Sequence, residues 1–221
     1  MALKVMSVFG TRPEAIKMCP LIKELEHHKE IESIVCLTGQ HREMLQQVID
    51  IFGTKVQYNL DIMQPRQTLT TIVTSILEKL EPILIEERPD ILLVHGDTST
   101  TFAAALAAFY QKIPVGHVEA GLRTFDKYSP FPEEINRCLT GRIAELHFSP
   151  TENNRRNLAN ENIIENVYVT GNTVIDAFQT TIKPDYQYKD AALRNVRFEG
   201  KRCILMTAHR RENLGKPSVV Q

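Results

Sequence analysis

The chain has 221 residues, enough for one sizeable core and part of a second. Charged residues make up 24% and the net charge is −1, which argues against a surface that coats nucleic acid, because such a surface needs a basic excess. No stretch approaches the ~20 apolar residues of a membrane span, the first residues run straight into a strand pattern with no signal-peptide features, and the four cysteines are scattered; the expectation is a cytoplasmic protein with reduced thiols.

Short apolar runs alternate with longer helical patterns from the start. LKVMSVF (3–9) predicts a strand and is followed by a helix over 12–28. SIVCLT (33–38) precedes a helix over 41–52, and the weaker strand VQYNL (56–60) precedes one over 67–87. ILLVHG (91–96) leads into a helix over 98–111, and PVGHVE (114–119) is followed, after a loop, by one over 132–144. ELHFS (145–149) and NVYVT (166–170) lead into helices over 151–160 and 173–182. The strands are apolar at nearly every position, as expected when helices cover both faces. The fold class is therefore α/β, a Rossmann-like, doubly wound parallel sheet over 1–182. Residues 183–201 are polar and weakly periodic, and read as a hinge with a short helix. RCILMTAH (202–209) starts a new strand, so 202–221 reads as the opening of a second domain.

Ligands of open α/β sheets bind beyond the carboxyl ends of the strands. Those ends carry Gly10-Thr11-Arg12-Pro13-Glu14, His95-Gly96-Asp97, His117-Val118-Glu119 and His209-Arg210-Arg211, with Pro132-Glu133-Glu134 on a nearby loop. Thr11-x-x-Glu14 fits a capping box, with Pro13 in the first turn. Arg12 is not needed for that cap and sits where helix N–H groups already favour an anion. Lys17 is a second candidate anion ligand. Asp97 has a plain structural alternative as a helix cap, and Glu119 has one as an ion pair with Arg123. Three carboxylates beside an arginine at one rim point to proton transfer next to an anionic leaving group. His95 and His117 lie inside strands and read as hydrogen-bonded core groups. No His or Cys pair stands at metal-ligand spacing, and no G-x-G-x-x-G is present.

GTRPEAIK, TGQHREML, IMQPRQTL, VHGDTSTT, PVGHVEAGLRT, YSPFPEEINR, FSPTENN, VTGNTVIDA and AHRREN occur in this order. In that register the chain resembles the non-hydrolysing UDP-N-acetylglucosamine 2-epimerases of bacteria, over the N-terminal domain and the first strand of the C-terminal one. The resemblance implies the N-terminal half of a glycosyltransferase-B-type fold, with no cofactor and no metal. It implies UDP-GlcNAc and UDP-ManNAc as partners, interconverted by elimination to 2-acetamidoglucal plus UDP and re-addition. By motif matching it makes Asp97 and Glu119 the acid/base candidates and Glu133 a third carboxylate that assists or orients, and places Arg12, Lys17 and the catalytic candidate His209 near the nucleotide or its phosphates. It further implies an adjacent allosteric site at Gln40, Glu43, Arg66 and Arg210, although Glu43 stands where some regulated members carry glutamine. Homodimers are expected, and the stripe Ile72, Ile76, Leu80, Ile83 and Leu84 is a candidate face, with core packing as the alternative. The rival readings are a hydrolysing epimerase, a sugar transferase of the same fold and a non-catalytic nucleotide-sugar-binding fragment.

Overall fold

The computed structural model describes residues 2–39, 42–64, 66–197 and 199–204, with the backbone alone at Arg42 and Glu43. The chain forms two compact units that divide after Ile182.

The first unit is a sheet with helices on both faces. Its strands are β1 (Leu3–Phe9), β2 (Ile31–Leu37), β3 (Tyr58–Asn59), β4 (Ile91–His95), β5 (Val115–Val118), β6 (Leu146–Ser149) and β7 (Val167–Val169). All pairings are parallel and the order is β3-β2-β1-β4-β5-β6-β7. The helices are α1 (Arg12–His27), α2 (Arg42–Phe52), α3 (Leu69–Glu87), α4 (Ser99–Tyr110), α5 (Glu133–Ile143), α6 (Glu152–Asn160) and α7 (Val174–Thr181). Strand order reverses between β1 and β4, the position at whose carboxyl end open α/β sheets bind ligands. The predicted strands and helices of this unit are all present, most with ends trimmed by a residue or two.

Alternate residues of each strand feed two cores. Met6, Val8, Ile34, Leu92 and Val94 pack against α3 and against the alanines of α4. Val5, Phe9, Val35, Leu37 and Leu93 pack against Met18, Cys19 and Ile22 of α1 and against Leu45, Val48 and Ile49 of α2. The stripe considered for dimerisation lies in the first core: Ile72, Ile76, Leu80 and Leu84 are buried against the sheet, and Ile83 is packed beside them. It is ordinary core packing. Apolar burial on the protein's own sheet satisfies these side chains, so they leave no free face for a partner.

Gly10 ends β1 for a steric reason. A Cβ there would stand 1.9 Å from the Thr38 hydroxyl and 2.9 Å from that of Thr100. The lone glycine of this turn lets three chain segments cross closely; it is not the remnant of a glycine ladder.

In the second unit Asp190 caps a short helix α8 (Ala191–Arg194), its carboxylate accepting from the Ala192 N–H at 2.7 Å. Residues 202–204 carry no strand, and the remainder of the strand predicted over 202–209 lies outside the described residues. No helix among the described residues is long and apolar enough to cross a membrane.

Candidate active site

The β1–α1 turn is tied to the β4–α4 turn by one carboxylate. Glu14 is buried, and its Oε2 accepts from the N–H groups of Gly10 (3.0 Å) and Thr11 (2.7 Å). Its Oε1 accepts from the Thr98 hydroxyl at 2.7 Å. Burial pushes the Glu14 carboxyl above its ordinary value, against the pull of these donors. The Thr98 hydroxyl also accepts from the Thr101 N–H, so Thr98 is the cap of α4. The capping role considered for Asp97 is thereby taken, and its carboxylate faces elsewhere.

Asp97 pairs with Arg137 of α5, while its backbone carbonyl accepts from the Asn136 amide at 3.0 Å. Burial raises the Asp97 carboxyl. The Arg137 guanidinium opposes this, Glu133 and Glu119 add to it, and the net shift is upward. Arg137 also holds buried Glu134 at 3.2 Å. Glu134 in turn accepts from the N–H groups of Thr124 and Phe125 and so anchors the loop before α5. Of the two adjacent glutamates, then, Glu134 is structural. Glu133 has a buried Oε2 with no hydrogen-bond partner.

Glu119 leaves β5 with φ 65, a left-handed conformation that a non-glycine residue adopts at a cost and that re-aims its side chain. Its Oε1 accepts from the Lys17 ammonium at 2.5 Å and from the Asn172 amide at 3.0 Å. Burial alone would raise this carboxyl; His95, Lys17 and Asn172 outweigh it and the net shift is downward. Burial holds His95 down at about 4, so the ring is uncharged at neutral pH and Lys17 is the cation that stabilises Glu119 there. The pairing with Arg123 considered for Glu119 does not form: Arg123 grips Glu161 at 2.6 and 3.0 Å.

Asp97, Glu119 and Glu133 are thus brought to one rim at the carboxyl ends of β4 and β5, close enough for Asp97 to feel the other two charges. Their environments pull in opposite directions, one carboxyl raised and one lowered. The two carboxyls of this pair therefore differ in proton affinity in the direction an acid and a base require. Arg12 is exposed at the start of α1 and has no ion-pair partner among the described residues. Lys17, expected at an anion, is engaged with Glu119. Arg66 is exposed, with φ 59. His209, Arg210 and Gln40 lie outside the described residues, as does the side chain of Glu43. No group of three His, Cys, Asp or Glu among the described residues could hold a metal ion.

Reading the sequence missed Arg137, Asn172 and His95. Arg137 had a signal, being one helical turn after Glu133 and Glu134. Asn172 had none. His95 was read as a satisfied core group, yet neither of its ring nitrogens has a hydrogen-bond partner. His117 is satisfied through Nε2, which lies 2.7 Å from the Gly96 carbonyl. A cleft of about 480 Å³ lined by Glu145, His147, Asn162 and Asn166 opens at the amino ends of β6 and β7, the opposite end of the sheet from this rim.

A family model described as UDP-N-acetylglucosamine 2-epimerase matches residues 23–221. The chain is 56% identical over 216 residues to the UDP-N-acetylglucosamine 2-epimerase of Bacillus subtilis, covering 97% of this chain and 56% of that one. With the Escherichia coli K12 protein of the same name it shares 54% over 220 residues, covering 97% and 58%. A crystal structure of the Neisseria meningitidis enzyme bound to UDP-GlcNAc superposes with a TM-score of 0.78 at 59% identity, over 80% of this chain and 48% of that one. A Staphylococcus aureus MnaA–UDP structure superposes with a TM-score of 0.87 at 54% identity, over 97% and 56%. The chain spans little more than half the length of these relatives.

Proposed function

Because the chain belongs to the UDP-N-acetylglucosamine 2-epimerase family, we propose that the complete protein interconverts UDP-GlcNAc and UDP-ManNAc. The observation that carries this reading is the rim where Asp97, its carboxyl raised, and Glu119, its carboxyl lowered, meet Glu133 and Lys17, with Arg12 exposed at the start of α1. Relatives seen with UDP-GlcNAc and with UDP support the substrate class.

The hydrogen on sugar C2 is barely acidic. Its removal becomes feasible when the C2–H electrons form a C1=C2 double bond as the C1–O bond breaks. The electrons of that bond leave with UDP, and the proton goes to a carboxylate. Re-addition of UDP to the resulting 2-acetamidoglucal, with a proton delivered to the other face of C2, gives the epimer. Two proton-transfer groups must flank C2, and Asp97 and Glu119 take these roles, with Glu133 assisting. Arg12 and His209 meet the departing diphosphate, where a fixed cation stabilises charge that develops only in the transition state. Lys17 holds Glu119 in its charged form through their ion pair. The sequence is redox-neutral and asks nothing of a nicotinamide.

The complete protein, incubated with UDP-GlcNAc in D₂O, is expected to form UDP-ManNAc with deuterium at C2 in a proton NMR time course. The 221-residue chain alone is expected to give no exchange, because an open rim cannot neutralise UDP as it leaves. Turnover by the chain alone would contradict the second expectation, and no exchange by the complete protein would remove the epimerase reading. Free ManNAc without UDP-ManNAc would favour the hydrolysing alternative.

The finer readings follow from the same premise. UDP-GlcNAc also binds an allosteric site at Gln40, Glu43, Arg66 and Arg210, so Arg66→Ala in the complete protein should flatten activation by UDP-GlcNAc. An unchanged activation curve would exclude Arg66 from that site. The protein works in the cytoplasm as a homodimer, through a face other than the buried stripe of α3.

A further inference from the structure

His95 is 3% exposed at the end of β4, and neither ring nitrogen has a hydrogen-bond partner. A buried polar group left unmet is costly and rare, so it calls for a reason. The residue is not held in place by its ring: the Thr101 hydroxyl donates to the His95 carbonyl at 2.5 Å and fixes the backbone. The ring is therefore free to serve a neighbour. Its Nε2 lies 3.4 Å from Glu119 Oε2, which a small side-chain rotation would close to a good hydrogen bond.

The two oxygens of Glu119 are not equivalent. Oε1 accepts from Lys17 and Asn172. Oε2 faces His95 on one side and Gly96 on the other, and even a Cβ added at Gly96 would stop 3.6 Å short of it. A carboxylate fixed through one oxygen alone still rotates about its last bond. A donor on the second oxygen fixes its plane and leaves one outward lone pair for a reacting proton.

We propose that His95 is a positioning residue for Glu119, donating its Nε2–H to Oε2 as a neutral imidazole and so aiming the remaining lone pair of that oxygen at C2 of the sugar. This deepens the epimerase reading and rests on it for the substrate. Three groups face the ring: Glu119 beyond β5, Lys17 of α1 and His117 of β5. Burial drives the imidazole to about 4, Glu119 pulls it up and Lys17 pushes it down. A ring that stays neutral has one N–H; its own backbone carbonyl and the Glu119 carboxylate are the acceptors near it, and Nε2 is the nitrogen that faces Glu119. It orients the carboxylate without adding a second cation that would weaken it as a base.

Two-bond proton–nitrogen NMR of the histidine-labelled complete protein decides the tautomer. The expected result is a proton on Nε2, no titration of His95 between about pH 5.5 and 9, and a moved Nε2 resonance in Glu119→Gln. A proton on Nδ1, or an Nε2 resonance indifferent to Glu119→Gln, overturns the proposal. Kinetics provide the second arm. His95→Gln places an amide N–H near the lost Nε2–H and should keep kcat within about threefold. His95→Leu should lower kcat about ten- to a hundredfold with KM little changed. Equal losses in two folded variants would overturn the proposal as well. If the wild-type protein does not epimerise, the functional reading fails while the NMR result still decides the His95–Glu119 pair.

Discussion

In the complete protein, Asp97→Asn is expected to cut turnover about 10²- to 10⁴-fold, the range of a positioned general acid or base, without lowering thermal stability. Asparagine has the same shape and still offers an oxygen to Arg137. The cap of α4 is untouched because Thr98 supplies it. The stability half of the expectation follows from the direction of the Asp97 shift. Its carboxyl is raised above 3.8 in the folded protein, chiefly by burial. The folded state therefore holds that proton more tightly than the unfolded chain, and stability falls as pH rises from 3.8 through the raised value. Above the raised value this cost is present, and removing the carboxyl removes it. Initial rates of C2 deuterium exchange with a melting curve check both halves. A near wild-type rate would take Asp97 out of proton transfer. A large drop in melting temperature would mean that Asp97 acts through the fold. Glu119 has the opposite sign: its carboxyl is lowered, so its contribution to stability is present above 4.5 and lost as pH falls through the lowered value. Glu119→Gln should therefore cost stability as well as rate, since Lys17 loses its counter-charge.

The sheet was legible because its strands are apolar on both faces, a pattern that a parallel sheet under two helix layers demands. Strand order was legible only as far as right-handed crossovers allow, and the β1/β4 reversal had to be seen. Asp97, Glu119 and Glu133 could be picked out as carboxylates at the carboxyl ends of strands or the start of a helix. Their partners could not. Lys17 and Glu119 are 102 residues apart and meet because α1 lies over the end of β5. Asp97 and Arg137 are 40 apart and meet because α5 returns to the end of β4. Sequence spacing reports neighbours within one helix or one strand, and these pairs belong to neither. The left-handed backbone at Glu119 was equally hidden, because nothing about a glutamate after an apolar strand announces φ 65. The α3 stripe shows the converse: helical spacing identified an apolar face but could not say that the protein's own sheet covers it.

Arg137→Met should have the second large effect, acting on stability and on pH dependence together. Arg137 is 8% exposed, and its guanidinium bridges Asp97 to Glu134, which holds the Thr124–Phe125 loop. Removing one partner of a fully buried pair costs about 3–5 kcal/mol. Here about 2–3 kcal/mol is expected, because the Asp97 side chain is a quarter exposed and Glu134 keeps its backbone donors. The pH effect has a definite sign. Arg137 is the group that draws the Asp97 carboxyl down against burial, so its loss moves that carboxyl further up. Epimerisation runs both ways, and in one direction Asp97 must begin ionised. The acid limb of the pH–rate profile in that direction should therefore move to higher pH in Arg137→Met. Arg137→Lys should restore the charge and much of the limb without the planar fork that reaches Asp97 and Glu134 at once. A destabilised Arg137→Met enzyme whose pH profile is unchanged would assign Arg137 to the loop alone and would separate Asp97 from the limb. A shifted limb that lysine brings back would tie the charge on Asp97 to this one guanidinium.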